Sequence, residues 1–251
     1  IGIAGRNSAK VVNYGIISVD GENAAGIYAT QNTTVENNGT INVSGNGSVG
    51  IAAAAEKIIN SGLINISDGA GMISLQDNYN IPELINAGII RVNGEFDASG
   101  MKISIKPNLG TLQKSLLSGV DFTLNSVSIL ADSIKINDMV KILPDFTQGT
   151  NANVYKLENV FKAGSISTFG NKLSVESSSL TWEAVSEEED NQNINIYMKK
   201  LSYRAFTKGL WFDGLAGVLD KNYYGADGNA GIIYDKIDLI SSEDDFRHVM
   251  A

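Results

Sequence analysis

Between Val11 and Val92 the chain repeats itself about every 24 residues, and every copy carries an asparagine in the same phase. The segment VVNYGIISVDGENAAGIYAT begins at Val11, and its near copy VENNGTINVSGNGSVGIAAA begins at Val35. Aligning all copies gives Asn13, Asn37, Asn60 and Asn86, spaced 24, 23 and 26 residues apart. Val11, Val35, Ile58 and Leu84 stand two residues before them, and Gly15, Gly39, Gly62 and Gly88 two after. Ile17, Ile41, Ile64 and Ile90 follow at plus four, then Val19, Val43, Ile66 and Val92 at plus six. A spacing of two is the strand period, so all of these side chains point to one face. The other face is mostly polar, with Tyr14, Ser18 and Asp20 in the first copy and Asn38, Asn42 and Ser44 in the second; Ile16, Leu63 and Ile89 interrupt it.

A second element keeps phase with the first, at Gly26-Ile27, Gly50-Ile51, Gly71-Met72 and Gly100-Met101, across turn-forming stretches such as DGENAAG and SGNGSVG. A propeller blade needs roughly 40 residues and four strands, and a leucine-rich repeat needs leucines and a helical segment. Neither fits. The predicted fold is all-β: a right-handed parallel β-helix with one coil per repeat, a C-terminal hairpin cap and a short helical tail. Stacking coils about 4.8 Å apart lines equivalent residues into columns. The asparagine column then forms a hydrogen-bonded ladder, which offsets the roughly 1–3 kcal/mol cost of an unpaired buried amide. The glycine two residues on is expected to allow a corner that no Cβ could follow. A calcium site is the alternative for the asparagines, but the Gly-Asp nonapeptide of calcium-binding rolls is missing.

Composition removes several function classes. A net charge of −9 argues against nucleic acid, whose phosphates need a basic surface. There is no cysteine, hence no disulfide, thiolate metal site or cysteine nucleophile. His248 is the single histidine, so multi-histidine metal centres are excluded. No run of about 18 apolar residues offers a membrane-spanning helix. Gly2-Ile3-Ala4 is in phase with Gly26-Ile27 and Gly50-Ile51, so the sequence reads as a piece of a longer repeat array.

Three regions follow. Regular coils occupy residues 1–110, irregular coils and a cap residues 111–207, and a helical linker residues 208–251. In the second region, LTWEAVSEEEDNQNINIYMKKL reads as a hairpin, with Leu180, Trp182 and Ala184 on one strand and Ile194, Ile196 and Met198 on the other. The acidic run Glu187 to Asp190 is expected in the loop between them. Trp182 and Tyr197 mark the cap; Trp211 and Phe212 are expected to pack a short helix against it or against something beyond it. In the third region Ile233, Ile237 and Ile240 fall at helical spacing, and Ser242 with Asp245 resembles a capping box. This helical part is expected to be only loosely tied to the coils.

The repeats followed by SLTWEAV…NINIYMKKLSY and then NAGIIYDKIDLISSEDDFRHVMA resemble the C-terminal end of a type V autotransporter passenger, closest to large adhesins of anaerobic Gram-negative bacteria. The resemblance implies that the hairpin region is an autochaperone and that the terminal segment leads into the chain's own outer-membrane β-barrel. It also implies display on the outer face of the outer membrane. The function expected is a membrane-proximal stalk and autochaperone that presents a distal binding region, in a monomer.

Two other functions compete with it. The coil surface itself could bind a protein or glycan receptor on a host or partner bacterium through Ile16, Leu63 and Ile89. A carbohydrate-active β-helix enzyme would need clustered carboxylates or a Lys/Arg base on one outward sheet. The outward column Asp20, Ser44, Ser67 and Asn93 holds one such residue, and Arg91 stands beside Ser18, Asn42 and Asn65 in the next. No catalytic residue, metal ligand or cofactor is therefore expected, and His248 is expected to be a solvated or interface side chain.

Overall fold

Each repeat contains three short runs of β-branched residues separated by residues that tolerate left-handed backbone, among them Gly21, Asn23, Gly45, Gly47, Asp68 and Gly69. In the computed structural model these runs are strands. The structure describes residues 1–30, 32–53, 55–75, 83–97, 101–107, 122–136, 139–143, 154–168, 173–224, 226 and 228–251. Strands hold 51% of the described residues and helices 16%, so the fold is mostly β.

The first repeat supplies β1 (Ile3–Gly5), β2 (Lys10–Asn13) and β3 (Ile16–Asp20), and the second β4 (Ala25–Ala29), β5 (Thr34–Asn37) and β6 (Thr40–Ser44). The third supplies β7 (Val49–Ala53), β8 (Lys57–Asn60) and β9 (Leu63–Ile66), and the fourth β10 (Gly71–Leu75), β11 (Glu83–Asn86) and β12 (Ile89–Asp97). Each strand pairs in parallel with its counterpart in the next repeat, so three sheets grow side by side. The first sheet is β1-β4-β7-β10. The second continues through β13 (Lys102–Ile105), β16 (Val140–Ile142) and β18 (Val175–Ser177). The third continues through β15 (Ile129–Ile136) and the long β17 (Val154–Thr168), whose first residues also pair with β14 (Phe122–Asn125). Direction then reverses: β20 (Asn193–Lys200) runs antiparallel to β17, and β19 (Trp182–Glu189) antiparallel to β20. A 3-10 turn, Tyr203–Ala205, leads to α1 (Asp213–Asn222), α2 (Gly228–Asp238) and α3 (Glu243–Met250).

Parallel registry turns the repeat into columns. Val11, Val35, Ile58, Leu84, Ile103 and Val140 face each other in sequence along the second sheet. Ile17, Ile41, Ile64, Ile90, Ile129 and Phe161 do so along the third. All of these are buried, and together they form one continuous core. Outside it, cross-strand ion pairs such as Lys10–Glu36 at 2.6 Å help fix the register.

Three details differ from the sequence reading. Ile73, not Met72, stands opposite Ile51, and Gly71 stands opposite Val49. Val43 pairs with Ile66 and Val49 with Gly71, so the path from β9 to β10 is one residue shorter in register than that from β6 to β7, which slips the phase. Gly100 lies outside the described residues. Second, Glu187, Glu188 and Glu189 belong to β19 rather than to a loop. The turn waits for Asp190 and Asn191, whose φ values of 56° and 53° are left-handed and suit those residue types. Third, Gly39, Gly62 and Gly88 do not serve an unusual φ. A Cβ on any of them would run into the carbonyl oxygen of the glycine one repeat earlier.

That close approach gives a sharp test. Gly62→Ala should destabilise the fold by roughly 1–3 kcal/mol, as forced overpacking does. Gly15→Ala, with nothing near its Cβ, should change little. Urea midpoints of the two variants measure the difference, and equal midpoints would contradict the stacked-glycine account.

Candidate functional site

Inside the second sheet the asparagines meet. The side-chain amide of Asn13 donates to Oδ1 of Asn37 at 2.8 Å, Asn37 to Asn60 at 2.8 Å, and Asn60 to Asn86 at 2.7 Å. The same amides reach the carbonyl of the glycine two residues on, at 3.1–3.3 Å. They also approach the backbone of the next repeat, as in Asn37 to the Leu63 carbonyl at 3.3 Å. All four residues are buried. The ladder ends where Asn86 donates to the Ser128 hydroxyl at 2.6 Å and to its carbonyl at 3.0 Å. Beyond Asn86 the same column holds Ile105 and then Ile142, both buried. A second, outward set links Asn65 to Asn42 at 2.8 Å.

At the other end of the third sheet a single carboxylate organises the cap. Asp238, the last residue of α2, is wholly buried. Its Oδ1 accepts from Thr181 Oγ1 at 2.7 Å and from the Tyr203 hydroxyl at 2.8 Å. Its Oδ2 accepts from the Tyr223 hydroxyl at 2.6 Å and from Trp182 Nε1 at 3.2 Å. Lys200 Nζ lies 3.5 Å from Oδ1, donates to the Leu201 carbonyl at 2.8 Å, and sits 3.7 Å from the centre of the Tyr203 ring. Sheet hairpin, 3-10 turn, α1–α2 connection and α2 therefore converge on one group.

The shell around it is aromatic. Tyr203 stacks on Tyr234 at 6.2 Å and on Phe246 at 5.9 Å, and Tyr223 meets Tyr234 edge-on at 5.1 Å. Trp182 packs its ring against Tyr155 of β17 at 5.5 Å. Burial lowers the Lys200 ammonium from its ordinary value, with Asp238 and Asp220 pulling the other way. Burial first, and then the Asp238 charge, push the Tyr203 phenol well above the usual tyrosine range. Tyr234 is raised by burial and by the same two carboxylates. This is the chemistry of a latch: the donors aimed at the carboxylate come from three separate stretches of chain, 181–182, 200–203 and 223.

The residues singled out from sequence fall in different places. Trp182 belongs to the latch, whereas Tyr197 lies on the outer side of β20, where its hydroxyl donates to Glu187 at 2.8 Å. Of the outward apolar residues, Ile16 is exposed, and Leu63 and Ile89 are half-buried. Leu63 and Ile89 line a groove of about 890 Å³ with Arg91, Lys106 and Leu130, and Ile16 lies outside it. His248 is exposed on α3. The helical segment is fastened to the hairpin by Asp238, the aromatic shell and the Leu180 N–H to Ile240 carbonyl bond at 2.8 Å. Its buried face is Tyr234, Ile237 and Asp238, while Ile233 is exposed, and Phe212 is buried while Trp211 is exposed. Sequence reasoning missed Asp238, Lys200, Tyr203 and Tyr223. The available signal was an acid beside Ile237 on the apolar stripe of α2, in a chain with tyrosines clustered at 203, 223, 224 and 234.

Residues 118–202 match the family model described as the BigA beta sandwich domain. The match covers about a third of the chain and takes in β14 to β20. It points to a surface protein of adhesin type. In the BigA-like segment, β16 and β18 belong to the second sheet and the other strands to the third, each continuous with the sheets of the regular repeats. No curated protein and no solved structure matches the chain. Among the described residues, no helix is long and apolar enough to cross a membrane.

Two measurements probe these polar clusters. Asn60→Ala removes the acceptor of Asn37 and the donor to Asn86, so it should cost roughly 1–3 kcal/mol in urea unfolding. A loss below a few tenths of a kcal/mol would show that the ladder contributes nothing. The latch predicts a pH effect. A phenol whose folded pKa lies above the unfolded value of about 10 stabilises fully below that pH, and this stability is lost as pH rises above it. Lys200, lowered, acts in the opposite direction just below its ordinary value, but Tyr203, Tyr224 and Tyr234 are all raised. Urea midpoints should therefore fall above about pH 10, and Tyr203→Phe should flatten the fall.

Proposed function

We propose that the chain is the membrane-proximal part of a surface-displayed autotransporter adhesin: a parallel β-helix stalk closed by an autochaperone-like cap. The observation that carries this reading is the reversal of strand direction from β17 to β20, held by the Asp238 latch. Parallel sheets leave open edges, and open edges pair with whatever they meet. Here the outermost strand of the third sheet, β19, is antiparallel and carries Glu183, Glu187, Glu188 and Glu189. The reversal and the charges oppose addition of a further strand on that side, while the earlier strands are built for parallel addition. The BigA-like match supports the adhesin class.

In this reading the cysteine-free chain crosses the outer membrane unfolded, C-terminal end first, next to its own β-barrel. The cap folds outside and offers β17 and β15 as an edge. Each new coil buries apolar surface at roughly 25 cal/mol per Å², which opposes backward sliding. The chain acts as a monomer, with no catalytic role and no cofactor. A second reading rests on the groove lined by Leu63 and Ile89, as a contact for a protein or glycan receptor; Leu63→Asp with Ile89→Asp should then abolish adhesion to target cells.

Pulse-labelled hydrogen exchange during refolding tests the cap reading. Amides of β17, β19, β20 and α2 should gain protection before those of β2 to β9. Simultaneous protection, or protection of the N-terminal repeats first, would overturn it.

A further inference from the structure

The chain has two tryptophans with opposite environments: Trp182 is 1% exposed, inside the latch, and Trp211 is 81% exposed just before α1. Trp211 is not isolated. Leu210 precedes it, and Leu215 and Val218 follow at spacings of four and three; all are exposed. Residues at such spacings share one helix face. Asn222, four residues after Val218, lies on the same face and is also exposed.

The charges of this segment are sorted. Both carboxylates of α1 are used on the opposite side: Asp213 accepts from Arg204 at 2.6 Å and Thr207 at 3.0 Å, and Asp220 accepts from the Tyr203 N–H at 2.8 Å and from Ser202. Ala216, on that inner side, is buried. The charges left beside the apolar stripe are Lys208 before it and Lys221 at its end, both exposed. In a chain of net charge −9, a tryptophan-led apolar stripe with an exposed lysine at each end is out of keeping with the rest of the surface.

We propose that this face docks on an anionic lipid bilayer surface, with the Trp211, Leu215 and Val218 side chains entering the interfacial layer and Lys208 and Lys221 contacting acidic headgroups. Indole suits the boundary between water and acyl chains, and lysine stems extend along the apolar layer while their ammonium groups reach the headgroups. A protein groove would satisfy the apolar stripe equally well, but the cationic flanks select an acidic plane. The helix is short and lies on its own latch, so the contact is peripheral and reversible. The inference does not depend on the stalk reading, because it concerns one face of α1 and the membrane alone.

The test uses the whole chain with vesicles of phosphatidylcholine alone or with about one-third phosphatidylglycerol. Because Trp182 is shielded, acrylamide quenching and the emission maximum follow Trp211. With acidic vesicles the emission should shift to the blue, quenching should fall, and the chain should sediment with lipid. Lys208→Gln and Lys221→Gln should each weaken binding about fivefold, from the attraction of one basic residue to an acidic surface. Trp211→Ser with Leu215→Ser should abolish it, and both sites are exposed, so far-ultraviolet dichroism should be unchanged. Three results would overturn the proposal: no sedimentation with acidic vesicles, equal binding to neutral ones, or shielding of Trp211 by self-association without lipid. If the double variant fails to fold, the two lysine variants decide the matter.

Discussion

In-register parallel stacking makes each repeat's inner chemistry conditional on its neighbour's. A buried asparagine in one strand is costly; in four successive strands each amide has a partner 2.7–2.8 Å away, and the cost is shared. The stacked glycines follow from the same closeness, since a side chain in one repeat would occupy the carbonyl of the previous one. The rule works in reverse where the ladder stops. Once Ile105 takes the column position, Asn86 has no amide above it and turns to Ser128. Polar and apolar columns can thus succeed one another only where another side chain receives the last donor.

The C-terminal end obeys a different principle. The hairpin and helices have no counterpart one repeat away, so their polar groups cannot be satisfied by repetition. They converge on Asp238 instead, which collects four neutral donors and one ammonium from five positions spread over 181 to 223. A buried ion pair is weak support for stability when it could be replaced by apolar groups, but removing one partner strands the other. Lys200 divides its ammonium between Asp238, the Leu201 carbonyl and the Tyr203 ring, all inside the same aromatic shell. The hydroxyls and the indole N–H supply the specificity, because only one placement of α2 lets all four reach the carboxylate.

Legibility in the sequence tracks this division. Asn13, Asn37, Asn60 and Asn86, with the valines, isoleucines and glycines around them, were legible because a repeated constraint writes the same residues at a fixed interval. The phase of the turn before β10 was not, since losing one residue from a turn leaves no mark except in the pairing of Ile51 with Ile73. The extent of β19 was misread because a run of glutamates looks like a loop by charge, while the turn is set by which residues accept left-handed backbone. Asp238 was invisible for a deeper reason. Its partners lie 15 to 57 residues away, and no periodicity connects them.

The two regimes also differ in how they must form. A repeat contacts its neighbour across about 24 residues, whereas the Thr181–Asp238 contact spans 57. Loop closure alone separates these by only about 0.8 kcal/mol. The larger difference is cooperative. A repeat gains a hydrogen bond, an apolar column and a ladder rung as soon as a finished neighbour exists, and gains little without one. The polar contacts of the latch come from the hairpin, turn and helices alone, with no partner in the regular repeats. On the proposed reading, such a chain has one place where structure begins unaided and a long stretch where it is copied. In the proposed setting, where the C-terminal end emerges first, the self-sufficient part is also the part that arrives first.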